Sequence, residues 1–452
     1  MATAAHENWS SRSAFILAAI GSAVGLGNVW GFPFEAGAGG GGAFVLIYLA
    51  FVFAIGWPVM VAELALGRRG HLAPPNAVAK VAREAGRSTA WSVIGWLGVI
   101  GAFLVLSFYS VVAGWTLSYM VDAFVGTLNG FDGASSVEHF TGLIASPALN
   151  LLWHTIFMGI TILVVARGIN DGLEQAVTWL MPALFVLLVG LVFGSLIVGD
   201  ASAAVDFLFK PDFSKVTITT VIKALGQAFF SLSLGLGAIL AYGAYVPREV
   251  SLSRSALIIC SADTAVAMLA GLAVFPIVFR FGLDAAAGPG LVFITLPIAF
   301  AQMPLGWLFG GAFFLLLAVA ALTSAISLLE PSVAWLEENR GLSRIKAGIG
   351  AGVAVFLVGL ASAFSQDGNL LASVKPFGVT ILDFLDNLTK QYFIPIGGLF
   401  ISIFVGWRLS RATMRDELAL FSERGFQFWR FMIRYACPVA LAIVFISVAF
   451  FS

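Results

Sequence analysis

The sequence predicts an all-α integral membrane protein with eleven transmembrane helices, and three observations carry that prediction. Of 452 residues, 60% are hydrophobic and only 11% are charged, which is about half the charged share of an ordinary soluble domain. Apolar stretches of roughly 20 residues, long enough for a helix to cross a bilayer, recur along the whole chain. The first and sixth stretches carry matching glycine-rich interruptions, which predict a 5+5 inverted repeat with broken helices 1 and 6.

The predicted spans follow one another closely, since the polar connections between them are too short to build a separate soluble core. We therefore predict one transmembrane domain over 1–452, with inverted repeats at about 13–199 and 216–407 and an extra helix at 428–450. The segment 285–303 is a candidate for a short lid. The longest polar connections are 68–89, 126–148, 200–215 and 408–427, and the predicted spans are 13–34, 43–62, 90–121, 150–166, 173–199, 216–245, 255–279, 305–329, 345–364, 377–405 and 428–450.

The basic residues predict how the chain is oriented. If the N-terminus is cytoplasmic, only six of the 24 Lys and Arg residues lie near the outer side, namely Lys210, Lys215, Lys223, Arg280, Lys375 and Lys390. This bias satisfies the positive-inside rule. We predict a multi-pass protein of the cell inner (plasma) membrane, with its N-terminus in the cytoplasm and its C-terminus outside. The formal net charge of zero gives no support for binding to nucleic acid.

The two interruptions predict broken helices at mid-membrane. Gly25-Leu26-Gly27 in the first span has a counterpart in Gly235-Leu236-Gly237 of the sixth, and each glycine costs a helix interior roughly 1 kcal/mol relative to alanine. Such glycines also let helices pack closely, which is the alternative reading of any single pair. Broken backbone survives at membrane depth only where it lines a protein-filled or wet cavity. Matching breaks in corresponding spans therefore favour a transport site.

Polar side chains fall beside these breaks. Asp263 places a carboxylate inside an apolar seventh span, where an ionisable group is expensive and points to function; the alternative is a protonated or capped aspartate near the cytoplasmic end of that span. Glu63 and Glu330 attract the same interest, although each could pair with Arg68, Arg12 or backbone. Neutral oxygens come from Asn28, Ser231, Ser233, Thr323 and Ser324, while Thr323, Ser324 and Ser327 could simply bond back to helix carbonyls.

Other kinds of site lack support in the sequence. The four histidines are scattered without metal-ligand spacing, and Cys260 and Cys437 both fall within spans. We see no clustered acid, base and nucleophile for an enzyme, and no repeated pore-lining rings for a channel. A membrane sensor with a binding site but no transport stays open.

At these residues the sequence resembles the neurotransmitter:sodium symporter family, particularly its bacterial amino-acid transporters, over essentially the whole chain. The resemblance rests on Gly21-Ser22-Ala23-Val24-Gly25-Leu26-Gly27-Asn28, Phe32-Pro33, Gly40-Gly41-Gly42-Ala43-Phe44, Gln227-Ala228-Phe229-Phe230-Ser231-Leu232-Ser233-Leu234-Gly235 and Leu322-Thr323-Ser324. It implies the leucine-transporter fold and sodium-coupled uptake of a small L-amino acid by alternating access. A proton-coupled amino-acid permease of the same architecture is the nearest rival, and Thr323 and Ser324 argue against it.

The resemblance also implies two sodium sites and a substrate site. The first sodium would be bound by the Ala23 carbonyl, Asn28, Ser231, Asp263 and the substrate carboxylate. The second would be bound by the Gly21, Val24 and Ala320 carbonyls and the Thr323 and Ser324 hydroxyls. The substrate would lie along Ser22, Ala23, Gly25 and Gly27, beside Ser231 and Ser324, with its carboxylate near Tyr109 and its side chain among Val105, Phe230, Ser233, Leu236 and Leu328.

Because Gly25 stands where amine-carrying relatives have an aspartate, the resemblance favours an amino acid that brings its own carboxylate, and the apolar pocket favours a hydrophobic one. Tyr109 and Phe230 would close the outer lid. Trp9, Tyr245 and Glu338 would close the cytoplasmic side, where Gly172 and Pro182 carry the family's Gly-x9-Pro spacing for helix unwinding.

Three departures qualify the resemblance. Gly31 replaces the family's usual arginine although its expected partner Asp383 is present, so the outer gate cannot be that salt bridge. His6 stands where an arginine is expected opposite Glu338, unless Arg12 or a shift in register supplies it. Ala267 stands where chloride-dependent relatives have a serine and others a glutamate. Substrate carboxylate and ionised Asp263 could then balance two sodium ions, so chloride should not be required.

Overall fold

The computed structural model describes residues 9–286 and 290–451, and all regular elements in that part of the chain are helical. The predicted all-α membrane protein is confirmed at this level. Within the described residues, nine helices are long and apolar enough to cross a bilayer: Gly42–Gly70, Thr89–Phe124, Pro147–Val165, Ile169–Val198, Leu252–Arg280, Gly306–Arg340, Arg344–Phe364, Ile381–Arg408 and Glu423–Ser447. The last of them continues as a helix to Phe451.

The first predicted span is a bent pair of helices, Arg12–Ala23 and Gly27–Ala38, which meet at 48° and make a tenth span if they are counted together. The second half of the pair starts with a π-helical turn, Gly27–Gly31, before the α-helix Phe32–Ala38. Between the halves, Val24 has an extended backbone. The helix is therefore interrupted at the glycine-rich sequence where the break is predicted.

The sixth predicted span, 216–245, is two short helices, Ile218–Ser231 and Ala238–Ala244. Neither is long enough to cross a bilayer alone. In the turn between them the backbone has positive φ at Ser233 (53°), Gly235 (76°) and Gly237 (72°). This region of backbone space suits glycine and ends a right-handed helix, so the turn interrupts the span.

The polar connections contain short helices that hydrophobicity alone did not reveal. They are Pro74–Glu84, Gly133–Ala145, Ala201–Phe209 and Arg411–Glu417, and the predicted lid contains Leu291–Ala301. Three of these helices begin at an N-cap side chain that accepts a backbone N–H, namely Asp132, Asp200 and Ser410. Gly288 and Pro289 of the predicted lid lie outside the described residues.

Caps also correct two predicted boundaries. The span predicted to begin at 377 begins at Ile381, after a separate turn Pro376–Gly378, because the Thr380 side chain accepts the Asp383 N–H. The last helix begins at Glu423 and not at 428, because Ser422 is its N-cap. Apolar content does not mark these starts because the capping residues are polar.

Packing places both breaks at the centre of the molecule. The most extensive helix contact joins Val93–Phe124 to Gly306–Arg340, and helix Arg12–Ala23 packs against Gly306–Arg340 and Leu252–Arg280. Helix Ala238–Ala244 packs against Trp57–Gly70. Large apolar side chains such as Trp179, Val186 and Ile197 project outward, as expected of a surface that faces lipid.

Candidate functional site

The last carbonyls of helix Arg12–Ala23 find partners in side chains of other helices. The Ser324 hydroxyl lies within hydrogen-bond distance of the carbonyls of Gly21 (3.4 Å), Ser22 (3.3 Å) and Val24 (3.2 Å). The Ser233 hydroxyl, from the sixth-span turn, donates to the Ser22 carbonyl at 2.8 Å. The two breaks therefore face each other and share polar contacts.

The sixth-span turn is held by a carboxyl group from helix Trp57–Gly70. Glu63 is fully buried, and its Oε1 accepts the Gly235 N–H at 2.7 Å while its Oε2 has no partner among the described residues. Of the partners considered for Glu63, the backbone therefore pairs with this carboxyl group, and Arg68 and Arg12 do not.

Asp263 lies between the breaks and not at a solvated helix end. It is fully buried; its Oδ1 accepts the Asn28 amide at 2.7 Å and its Oδ2 accepts the Ser231 hydroxyl at 2.7 Å and the Tyr48 hydroxyl at 3.3 Å. The Asn28 amide also donates to Ser231 Oγ at 3.0 Å and to the Asp263 backbone carbonyl at 3.1 Å. Asn28 Nδ2 thus donates to three oxygens. Tyr48 also belongs to this cluster, and the sequence analysis missed it.

A second oxygen cluster joins the first break to helix Gly306–Arg340. Ser324 contacts the Gly21 and Val24 carbonyls as described, and the Thr323 hydroxyl donates to the Ala320 carbonyl at 3.0 Å. Gly21 and Thr323 are neighbours, since a Cβ built on Gly21 would lie 3.3 Å from Thr323 Cβ. All five residues of the predicted second sodium site are therefore close together.

The ligands available in both clusters are carbonyl, hydroxyl, amide and carboxylate oxygens. In residues 9–286 and 290–451, no group of three or more His, Cys, Asp or Glu converges in a way that could hold a metal ion. Hard cations prefer oxygen ligands, so the donor sets fit such an ion. Ala267, one turn from Asp263, is buried and carries no charge.

A small cavity of about 20 Å³ lies between the two clusters, with room for about one water molecule. A Cβ on Gly25 would lie 2.4 Å from Ser324 Oγ and 2.9 Å from the Tyr109 hydroxyl, which accepts the Leu26 N–H at 3.2 Å. In this conformation the cavity is too small for an amino acid. The cavity is lined by Ala23, Gly25, Leu26, Gly27, Val105, Tyr109, Phe230, Ser233, Leu236, Ser324 and Leu328.

Two predicted substrate residues do not line this cavity. The Ser22 hydroxyl donates to Ser327 Oγ at 2.8 Å, so Ser22 faces helix Gly306–Arg340. Ser231 is turned toward Asp263.

A larger cavity of about 280 Å³ lies on the other side of Tyr109 and Phe230. Its lining is aromatic on one part, with Trp30, Phe34, Phe108, Trp115, Phe140 and Phe293, and polar on the other, with Glu35, Gln227, Gln366, Asp383, Asp386 and Lys390. We call this space the vestibule. The vestibule adjoins the small cavity at residues that line both, among them Tyr109 and Phe230.

Lys390 provides a contact across the vestibule that the sequence analysis missed. Its Nζ lies 4.4 Å from the centre of the Phe230 ring and 2.8 Å from Asp386 Oδ1. Near Gly31, the Gln227 side chain fills the space and donates to the Gly27 carbonyl at 2.6 Å. Asp383 is exposed and accepts from Thr380. No local signal predicts the Lys390–Phe230 contact, because the two residues are far apart in sequence.

The residues predicted to close the cytoplasmic side include Trp9 and Tyr245, which lie together in an aromatic and ionic cluster. Trp9 is buried, and its Nε1 donates to the Tyr242 carbonyl at 3.2 Å, while its backbone N–H reaches the Tyr245 carbonyl at 3.4 Å. The Tyr245 hydroxyl donates to Glu330 at 3.1 Å. The partner of Glu330 is Arg344, and not Arg68 or Arg12, because a short loop folds the next helix back against Gly306–Arg340.

Glu338 makes its contacts beside this cluster and not at its centre. Its carboxylate accepts the Ala73 N–H at 2.6 Å and the Asn76 amide at 2.8 Å, which fixes the start of helix Pro74–Glu84. His6 lies outside the described residues.

The predicted unwinding segment begins with a π-helical turn. Gly172 lies in that turn, Ile169–Glu174, and Pro182 lies inside the helix that follows. Both oxygens of the Glu174 carboxylate accept from Ser10, one from the hydroxyl and one from the backbone N–H at 3.1 Å. The segment before the first helix is thereby attached to the start of the fifth predicted span.

Known proteins share the sequence and fold described here. The Sodium:neurotransmitter symporter family model matches residues 6–139 and 135–451. The "Uncharacterized sodium-dependent transporter YhdH" of Bacillus subtilis is 40% identical over 442 residues, which cover 97% of each chain. The "Sodium-dependent nutrient amino acid transporter 1" of Drosophila melanogaster is 25% identical over 526 residues, which cover 98% of this chain and 77% of that protein.

A solved structure agrees over the same length. The crystal structure of MhsT in complex with L-phenylalanine matches with a TM-score of 0.91 at 41% sequence identity, covering 98% of this chain and 100% of that chain. The resemblance read from the glycine-rich motifs is confirmed, and the chain is a membrane transporter that belongs to the sodium:neurotransmitter symporter family.

Proposed function

We propose that this protein is a sodium-coupled symporter that takes up a small hydrophobic L-amino acid by alternating access. The observation that carries the proposal is the pair of oxygen clusters on either side of a small cavity, one around Asp263 and one around Ser324. An opened helix exposes backbone carbonyls, which can replace the water around a small cation.

The first sodium ion would take the position now held by the Asn28 Nδ2 group. The Asn28 amide would turn its oxygen toward the ion, which would also contact Asp263, Ser231 and the Ala23 carbonyl. The second ion would lie among the Gly21, Val24 and Ala320 carbonyls and the hydroxyls of Thr323 and Ser324. Since the substrate carboxylate would complete the first site, ion and substrate would each raise the affinity of the other.

The substrate would lie along the opened first helix, with its carboxylate near Tyr109. Gly25 supports an amino acid over a simple amine, because the surrounding hydroxyls leave no space there for an aspartate side chain. The walls formed by Val105, Phe230, Leu236 and Leu328 support an apolar substrate side chain. The relatives named for amino acids and the bound L-phenylalanine of MhsT point the same way.

The proposed topology has eleven spans and inverted repeats. It counts Ile218–Ser231 and Ala238–Ala244 as one broken span across the membrane, matching the broken first span. The N-terminus would be cytoplasmic in the plasma membrane, with the vestibule outside. The conformation described here then has its cytoplasmic side closed and its substrate site covered.

In the proposed outer gate, Lys390 takes the role of the arginine that the family usually carries at the position of Gly31. Its ammonium group lies over Phe230, one of the two lid residues, and is paired with Asp386. Cation–π contacts and ion pairs at solvated positions are individually weak, so this gate can open readily.

A binding screen tests the proposal. Purified protein is screened by scintillation proximity against the twenty amino acids, in sodium and then in potassium. We expect saturable binding of one or more hydrophobic amino acids in sodium only. Equal binding in potassium would contradict sodium coupling, and binding that is indifferent to sodium but lost at high pH would favour the proton-coupled permease.

A further inference from the structure

A third cavity, of about 350 Å³, lies beside the start of the last helix and shares no residue with the central cavity or the vestibule. Four lining residues lie three, four and seven positions apart on that helix, and therefore on one face of it. Helix Arg411–Glu417 contributes one arginine. The residues that matter are Arg411, Gln427, Arg430, Phe431, Arg434 and Tyr435.

Two of these arginines have buried nitrogen atoms without hydrogen-bond partners. In the part of the chain that the structure describes, neither Arg430 Nη1 nor Arg434 Nε has a partner, although both atoms are shielded from solvent. A guanidinium nitrogen that is shielded from solvent and has no acceptor is costly. The cavity therefore presents positive charge and unused donors to whatever fills it.

The nearby acids are already committed to other basic residues. Glu423 pairs with Arg411 and Arg415. Glu417 pairs with Arg68 at 2.5 Å and Asp416 pairs with Arg69 at 3.4 Å. Arg430 and Arg434 are thus left to an anion from outside the chain.

The surroundings place this cavity at a membrane interface. The fifteen-residue apolar helix Cys437–Phe451 follows directly, and the Phe428, Phe431 and Tyr435 side chains are exposed. Arg434 lies over the ring of exposed Trp407 at 4.4 Å. Aromatic side chains and arginines together at the end of a span are typical of the headgroup region, where basic pockets bind anionic lipid headgroups.

We propose that this cavity binds the headgroup phosphate of an anionic phospholipid in the cytoplasmic leaflet. Arg430 and Arg434 would donate to the phosphate oxygens, and the acyl chains would lie against Phe431 and Tyr435. Lipid is favoured over free phosphate because the charged cavity adjoins an exposed apolar and aromatic surface. Binding here does not depend on sodium or on the amino acid.

The test measures lipid retained by the purified full-length protein with native mass spectrometry. Wild type should retain phosphatidylglycerol in preference to phosphatidylcholine. The double variant Arg430→Gln/Arg434→Gln should lose that preference, with phosphatidylglycerol retention falling by about tenfold. Arg424→Gln is the matched control, because Arg424 is exposed on the same helix outside the cavity and its loss removes one charge. It should keep the preference of wild type.

Two further measurements keep the outcome clear. Phosphatidylglycerol should raise the unfolding temperature of wild type, whereas phosphatidylcholine and inorganic phosphate should not, a comparison that needs no variant. Equal phosphatidylglycerol retention by the double variant and wild type would overturn the proposal. Displacement of the lipid by millimolar inorganic phosphate would also overturn it, because the cavity would then be a site for a free anion.

Discussion

At the scale of single residues, Gly25 limits the space in the proposed substrate site. Its neighbours Ser324 and Tyr109 come within 3 Å of the position that a Cβ would take. An added methyl group must push one of them aside, and overpacking of this kind costs about 1–3 kcal/mol. The residue therefore links the helix break directly to the shape of the proposed substrate site.

We expect Gly25→Ala to weaken amino-acid binding by about tenfold, which corresponds to about 1.4 kcal/mol. Equilibrium binding in saturating sodium measures this effect. Gly226→Ala is the control, since a Cβ on Gly226 meets nothing within 4 Å, and its affinity should equal that of wild type. Unchanged affinity in Gly25→Ala would place the substrate elsewhere.

Asp263 gives a prediction about charge. Two sodium ions in a low-dielectric site need about two negative charges nearby, and ionised Asp263 with the substrate carboxylate would supply them. Uptake should therefore be unchanged when gluconate replaces chloride in proteoliposomes. Loss of uptake without chloride would show that the charge balance is different.

The same charge can be removed by mutation. Asp263→Asn should raise the sodium concentration for half-maximal binding by about tenfold or more, because a buried charged partner is lost. Asp206→Asn is the control, as Asp206 is exposed and pairs only weakly with Lys210 at 3.9 Å. Sodium dependence identical in all three proteins would exclude Asp263 from the ion site.

At the scale of elements, the family resemblance predicts that the helix unwinds at the start of the fifth predicted span, around Gly172. A Cβ on Gly172 would lie 2.2 Å from the Val164 carbonyl, so alanine there cannot fit the closed arrangement. Gly172→Ala should shift the population toward conformations in which the two segments separate. Hydrogen–deuterium exchange should then become faster in residues 9–15 and 164–174 and stay unchanged around the vestibule.

Gly190→Ala provides the comparison on the same helix, because nothing lies within 4 Å of a Cβ at Gly190. Its exchange should match wild type. Exchange in Gly172→Ala as slow as in wild type would mean that this segment does not control the cytoplasmic closure.

The elements also show what a sequence can and cannot predict. Long apolar runs are predictable because burial in lipid requires them, and the breaks are predictable because Gly235 and Gly237 hold backbone that suits glycine. The loop helices are short and polar, so only caps such as Asp132 mark them. Glu330 and Arg344 meet because a loop folds one helix back on the other, which periodicity does not encode.

At the scale of the whole molecule, the proposed outer gate joins two parts that should move relative to each other. Lys390→Met removes the ammonium group from above Phe230 while keeping an apolar stem. Bound amino acid should then dissociate about fivefold faster, as expected from the loss of a weak cation–π contact and ion pair. Rapid-dilution measurements with radiolabelled substrate give the rate.

Lys375→Met is the matched control, since Lys375 pairs with Asp367 outside the vestibule and should not affect dissociation. Lys390→Arg should keep the wild-type rate, because a guanidinium group also binds an aromatic face. Equal dissociation rates in Lys390→Met and wild type would remove Lys390 from the gate.

The central claim is that sodium entry drives amino-acid uptake, and one measurement addresses it most directly. Proteoliposomes are loaded with potassium, and a hydrophobic amino acid that binds the purified protein is supplied with either a sodium or a proton gradient directed inward. The account predicts accumulation above the outside concentration with the sodium gradient and none with the proton gradient. Accumulation driven by protons without sodium, or binding without any accumulation, would contradict it.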